Sequence, residues 1–263
     1  LTSQGNTVAA PNGNTEWLYG VHSVAEALRA GRRRFMELYL LRDHESRRLD
    51  TLAELGALRA VPIKVADAGA LTRLCGSGVH QGAVLCAGPY PLLGFESLLA
   101  AASSPDRPLF LMMLDSIQDP HNLGAILRTA VCAGIDGLVV HRHRFAPVGP
   151  TVSRVSAGAL EHATVYQVTN LADTITRLQK ETHLWVVGLE HRSPRSIFEA
   201  SLTGHLALVV GGEEKGLRQL VRKRCDDLVS IPQRGPIESL NASAASAVGL
   251  FEAVRQRTPG LQR

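Results

Sequence analysis

The chain is poor in cysteine, with only four, at positions 75, 86, 132 and 225 of 263 residues. They are too few and too scattered for a disulfide framework, and none forms the close pair of a zinc site, so they read as reduced core thiols. No apolar run reaches the roughly 18 residues of a membrane span, and the first fifteen residues lack a charged-then-apolar secretory pattern. A cytoplasmic protein is expected. Leu1 is not an initiator residue, which leaves a removed targeting segment open. Missing as well are the GxGxxG fingerprint of dinucleotide sites, the GxxxxGK[ST] phosphate loop and the GxSxG elbow of serine hydrolases. Lysine is scarce: 24 of the 28 basic residues are arginine. Arginine makes planar two-pronged contacts to phosphate and stacks on bases, which suits RNA, although a GC-rich genome produces the same bias. The net charge of +4 and pI near 9.1 permit a polyanionic partner.

What is present is an ordinary globular composition, 45% hydrophobic and 20% charged, with 24 Gly and 13 Pro. Residues 1–15 carry Gly, Asn, Ser, Thr and Pro without periodicity and read as a tail. From Trp17 the pattern alternates between short apolar runs and helix-like stretches. Ser23 and Glu26 form a capping-box signature for a first helix that Gly31 stops. Strands are expected at 36–41, 61–65 and 83–87, and helices at 45–60 and 68–74. These make a small α/β domain over 16–88. Residues 89–107, bearing Pro, Gly and Ser, read as a linker, with a helix possible at 95–102. A second block, 108–263, contains buried-strand runs at 109–114, 137–140, 184–189 and 206–210. Strands separated by helices imply a mainly parallel sheet, and ligands of such sheets gather at the strands' carboxyl ends.

Three clusters in this block carry chemistry. The first runs from Leu114 to Arg128 as strand, turn and helix. Asp119 can cap the helix with Pro120 in its first position, while Leu123, Ile126, Leu127, Ala130 and Val131 make one apolar stripe. Asn122 and Arg128 fall off that stripe. Six residues span about 9 Å of helix rise, and a long arginine leaning toward the amino end can reach the same pocket as Asn122. Equally, Asn122 could satisfy helix-end amides and Arg128 lie on a solvated face. The second cluster, 208–217, is a strand emptying into a loop that contains Gly211, Gly212, Glu213, Glu214 and Gly216. Its glycines allow close backbone approach to a ligand, though a tight turn before a helix explains them too. The third, 231–247, passes from Ile231 and Pro232 through a loop to Ser239, Leu240 and Asn241 and a helix of small residues. Ser239 and Asn241 are polar handles at the helix entry, unless Ser239 is simply a cap; the alanines read as close-packed core.

Together, in this order, the three clusters resemble the three motifs of the SpoU-type (TrmH-like) RNA ribose 2′-O-methyltransferases of the SPOUT superfamily. With Leu18–Val24 and the Val79, His80, Gln81, Gly82 segment, the resemblance extends from Trp17 to Arg257. It is strongest to the subgroup that methylates a guanosine ribose of 23S rRNA. Glu214, where a Gly is common, and Pro236 with Glu238 depart from the pattern. The resemblance implies an α/β fold with a trefoil-knotted carboxy-terminal parallel-sheet domain and a small amino-terminal, ribosomal-protein-like RNA-binding domain. It implies S-adenosylmethionine as cofactor, with Gly211, Ile231 and Leu240 lining the adenosine pocket, and no metal. Asn122, Arg128, Glu213, Ser239 and Asn241 carry over to the catalytic motif positions. The implied partners are ribosomal RNA rather than DNA, with no membrane, and a second copy in a homodimer, for which Val248, Leu250, Phe251 and Val254 offer an apolar face.

Transfer of a methyl group to a ribose hydroxyl is an in-line displacement that demands positioning; orientation alone can supply roughly 7 to 11 kcal/mol of barrier reduction. Arg128 matches the residue regarded as the base, yet a guanidinium stays protonated and is a poor base. Its expected role is to bind substrate phosphate and stabilise the developing alkoxide. The same reaction on transfer RNA or another rRNA nucleotide, or a non-catalytic RNA-binding or ribosome-assembly module, remain alternatives. His141 and His143 with Arg142 and Arg144 lack a third metal ligand and suit RNA phosphate or plain surface, as does the Arg32, Arg33, Arg34 run.

Overall fold

The computed structural model describes residues 15–103, 108–143, 145–213, 215–236 and 239–258. The departures Glu214 and Glu238, and Arg144 of the basic group, lie outside them. The chain divides into two compact units, one running to Pro91 and including Val148–His162, the other comprising Leu92–Pro147 and the chain from Ala163 onward.

The first unit is built from β1 (Glu16–Tyr19), α1 (Val21–Ala30), β2 (Phe35–Leu41), α2 (Arg47–Leu58), β3 (Ile63–Ala66), α3 (Ala68–Cys75) and β4 (Ala83–Ala87). Its sheet has the order β1-β4-β2-β3, with β4 antiparallel to both neighbours and β3 parallel to β2. Every residue of β4 is buried, as befits a central strand, and Leu18, Leu28, Leu38, Leu52 and Leu85 form the core beside it. The expected capping box does not form. Helix α1 begins at Val21, two residues before Ser23, because Gly20 (φ 91°) turns the chain and the Gln81 side-chain oxygen accepts the Val21 N–H at 3.1 Å. Ser23 is instead buried, its hydroxyl 2.7 Å from that of Ser153.

The second unit opens with α4 (Phe95–Ala102), followed by β5 (Phe110–Asp115), α5 (Pro120–Cys132) and β6 (Gly137–His141). The helix within the expected linker is thus formed, and Leu98 and Ala102 bury it in this unit's core. Next in the chain, α6 (Pro150–Val155) and a 3₁₀ turn at Ala159–His162 belong to the first unit, which a strictly sequential boundary does not anticipate. The second unit then resumes with β7 (Val165–Val168), α7 (Leu171–Thr182), β8 (Trp185–Leu189), β9 (Leu206–Gly211), α8 (Gln219–Arg224), β10 (Asp227–Val229) and α9 (Ala242–Arg257). Its sheet, order β10-β8-β9-β5-β6-β7, is parallel throughout. From β5 the chain moves outward through β6 and β7, then returns on the other side through β8 and β9. The order therefore reverses between β5 and β9, where Asp115 pairs with Gly211 at the carboxyl ends. Among the described residues no helix is long and apolar enough to cross a membrane.

Candidate active site

Three connections converge on that reversal. Asp119 caps α5, its carboxylate accepting the N–H groups of His121 (3.1 Å) and Asn122 (3.2 Å), with Pro120 at the first helical position. Because Asp119 satisfies these amides, the Asn122 side chain is not needed as a cap and projects to other partners. The β9–α8 connection is a tight glycine turn. A Cβ at Gly211 would overlap the Gly216 backbone, Gly216 has φ +59°, and its N–H reaches the Gly212 carbonyl at 2.9 Å. This turn holds Glu213 exposed. At the third connection Asn241, not Ser239, caps α9: its Oδ1 accepts from the Ser243 N–H (2.8 Å) and hydroxyl (2.6 Å). Ser246, Gly249 and Leu250 bury α9 on one side, and α9 packs against α5.

The three side chains then meet. Glu213 Oε1 accepts from Asn122 Nδ2 and, at 2.6 Å, from Asn241 Nδ2, which also donates to Asn122 Oδ1 at 3.0 Å. A carboxylate shared by two amide donors keeps three loops in register while remaining open to solvent. Beside it lies a cavity of about 370 Å³ lined by Gly211, Glu213, Ile231, Ser239 and Leu240, with Leu189, Val210 and Val229 as apolar wall. A second cavity, about 480 Å³, is lined by Ser116, Gln118, Asn122 and Glu213 among others. Gly212, Glu213, Lys215 and Gly216 line both.

Arg128 stands apart. It is exposed on α5, lines neither cavity, and has no hydrogen-bond or ion-pair partner among the described residues. Several lining groups escaped the sequence reading. Glu190 and His191 (Nδ1 to Oε1, 3.2 Å) follow the end of β8, and a polar pair after a buried strand was the available signal. Arg218 follows the glycine turn, while Lys215 within that turn and Asp115 within the first cluster lay inside the motifs without being singled out as site residues. Burial pushes the Cys225 thiol up to about 12, so it supplies no thiolate at neutral pH. His141 Nδ1 accepts the His143 N–H at 3.0 Å, and among the described residues no group of three or more His, Cys, Asp or Glu is placed to hold a metal ion. The arrangement is that of a positioning site: two adjoining cavities, a carboxylate between them, and no activated thiol in reach.

A parallel α/β domain with such a site, preceded by a small α/β domain, defines the class, and the chain belongs to the SpoU rRNA Methylase family, whose pattern matches residues 109–251. Residues 17–93 match a second family, RNA 2′-O ribose methyltransferase substrate binding. The chain is 39% identical over 244 residues to the 23S rRNA (guanosine-2′-O-)-methyltransferase RlmB of Escherichia coli, covering 93% of this chain and 100% of that one. Its identity to RlmB of Pectobacterium atrosepticum is 42% over 244 residues, 92% and 99% of the two chains. In fold it is similar to the SpoU methyltransferase AviRb from Streptomyces viridochromogenes, crystallised in complex with AdoMet, with TM-score 0.77, 24% identity and coverage of 92% and 90%.

Proposed function

We propose that this protein transfers a methyl group from S-adenosylmethionine to the ribose 2′-hydroxyl of a guanosine in 23S rRNA. The observation that carries the reading is the Asn122–Glu213–Asn241 hydrogen-bonded triangle, one residue from each motif, whose Glu213 lines the same cavity as Gly211, Ile231 and Leu240. The lining fits the cofactor: glycine backbone and apolar Leu189, Val229, Ile231 and Leu240 suit a flat adenine, while the carboxylates of Glu190 and Glu213 suit hydroxyls and a sulfonium charge. When bound, S-adenosylmethionine supplies an electrophilic methyl group and requires no metal. Gly211, Ile231 and Leu240 hold the adenosine, Glu213 orders the glycine turn against the other two motifs, and Ser239 and Asn241 hold the third loop. Asn122 orients the ribose. Orienting the hydroxyl oxygen toward the methyl group would be the chief service of these residues, since orientation alone can supply roughly 7 to 11 kcal/mol.

Arg128 binds substrate phosphate and stabilises the developing alkoxide. Its absence from the lining of both cavities, with its exposure on α5, supports a homodimer in which the arginine of one protomer serves the site of the other. Phe251, 49% exposed on α9, supports that face as the contact, whereas Leu250 is turned inward. The close approach of the glycine turn to Asp115 and Ser116, with Asn241 against Asn122, supports reading the carboxy-terminal path as a trefoil knot. The first unit serves as the RNA-binding domain, and the enzyme acts in the cytoplasm on ribosomal RNA.

The test is methyl transfer from labelled S-adenosylmethionine to 23S rRNA, with the modified ribose mapped. Arg128→Ala is expected to lower turnover by about 10²-fold or more with calorimetric cofactor affinity unchanged. No cofactor binding by the wild-type protein, or preferential methylation of transfer RNA, overturns the reading.

A further inference from the structure

Asp115 holds the glycine turn at both ends. Its carbonyl accepts the Gly212 N–H at 2.9 Å, and its carboxylate, wholly buried, accepts the Arg218 backbone N–H at 2.8 Å and the Arg218 Nε at 2.5 Å. The packing leaves no slack: a Cβ at Gly212 would lie 2.8 Å from the Ser116 carbonyl oxygen, and Ser116 itself has φ 69°, a conformation rarely adopted by a residue with a side chain. The arginine is only partly consumed by this role. Its side chain is 30% exposed and lines the second cavity, and its two terminal nitrogens have no partner among the described residues.

The charges around that cavity are unevenly spent. Both acids already accept hydrogen bonds, Asp119 through both oxygens from the amides of His121 and Asn122, and Glu213 through Oε1 from the side chains of Asn122 and Asn241. Both cations, Lys215 and Arg218, keep donors without partners among the described residues. Asp119 faces its own helix amides and Glu213 Oε1 faces the two asparagines, whereas the terminal nitrogens of Arg218 are left toward the cavity, and the planar end of a guanidinium suits a phosphate. We infer that Arg218 is a substrate-binding residue of the second cavity, its terminal nitrogens taking a phosphate of the RNA flanking the target nucleotide while its Nε and backbone N–H tie the glycine turn to Asp115. One side chain thereby joins RNA occupancy to the loop that carries Glu213 and rims the cofactor cavity.

This inference rests on the RNA methyltransferase reading, and the test separates the two. RNA affinity of the full-length protein for a 23S rRNA fragment is measured from 50 to 200 mM KCl for wild type, Arg218→Gln and Arg218→Lys, beside KM for RNA, kcat, and calorimetric affinity for S-adenosylmethionine alone. Gln keeps a donor for Asp115 without charge, and Lys keeps the charge without the fork. Arg218→Gln is expected to reduce the slope of log affinity against log salt by about 0.7 to 1 and to raise KM for RNA several-fold. Arg218→Lys is expected to keep the slope but lower turnover, since a single ammonium cannot hold the Asp115 carboxylate and a phosphate at once as the guanidinium fork does, leaving Asp115 the backbone N–H alone when RNA is bound. A purely structural arginine would lower the melting temperature and leave the salt slope intact, which overturns the inference, as does a loss confined to cofactor affinity without RNA, which assigns the cations to the cofactor's carboxylate. A wild-type protein that neither binds the cofactor nor methylates RNA fails the functional reading itself.

Discussion

In the first unit Arg33 is sealed from solvent. Its Nε and one terminal nitrogen grip Glu161 at 2.7 and 3.0 Å, and the other terminal nitrogen reaches Glu16 at 2.6 Å and the Gly88 carbonyl at 3.2 Å. Ser153 donates to the same Glu161 carboxylate at 2.8 Å. In the second unit Glu213 is likewise shared among donors from distant parts of the chain, but it stands exposed between two cavities. Both clusters fasten separate segments through one carboxylate. The buried one has every atom committed and holds residues 148–162 onto the first unit; the open one keeps lone pairs and space for a ligand. Burial, more than residue type, separates a structural polar cluster from a functional one.

That contrast can be broken at either end. The largest effect is expected for Arg33→Ala, which leaves Glu161 buried without its cation: the first unit loses about 3 to 5 kcal/mol, read by urea unfolding. A loss below 1 kcal/mol would mean that the cluster is not the fastening described. Asn241→Ala comes next. Methyl transfer is expected to fall about 10²-fold, some 2.7 kcal/mol of transition-state stabilisation, whereas urea stability falls only by the loss of a helix cap, about 1 kcal/mol. Equal losses in the two assays would erase the distinction between the clusters.

The smallest effect concerns the half-exposed edge of the first unit's network. Burial works to raise the Glu26 carboxyl, but hydrogen bonds and charge from His162 and Arg29 prevail and hold it below the ordinary carboxylate range. A depressed folded value gives stability that is present above the unfolded pKa and is lost as pH falls through the folded one. Glu26→Gln is therefore expected to remove at most about 1 kcal/mol at neutral pH, the pair being largely open to solvent, and nothing at strongly acidic pH. Thermal melts from pH 7 down to pH 2.5 check this, and a difference that grows on acidification would reverse the sign.

The strand at Ala83–Ala87 and the helix at Phe95–Ala102 were legible to the residue, because an all-apolar run and an apolar face between Gly and Ser need no knowledge of the rest of the chain. The start of α1 was misread for the same reason: Ser23 and Glu26 satisfy a local rule, and only Gln81, sixty positions away, shows that the helix begins at Val21. Arg33 resembled a solvated charge in a basic run, and nothing nearby announces Glu161, 128 positions on. At the site, the motif resemblance singled out Asn122, Glu213 and Asn241, but not that Asp119 would take the cap and free Asn122 for Glu213. Arg218 carried no motif signal at all, and Asp115, though inside the first cluster, was not singled out.

By itself, the order of residues determined which stretches become strand or helix, where glycine must turn the chain, and which family's motifs it carries, since these depend on neighbours within a few positions. Only the folded molecule decided which polar group meets which. Asn122, Glu213 and Asn241 are separated by 91 and 28 positions along the chain, yet their bonds form only within about 3 Å, a proximity that the return of β9 beside β5 creates.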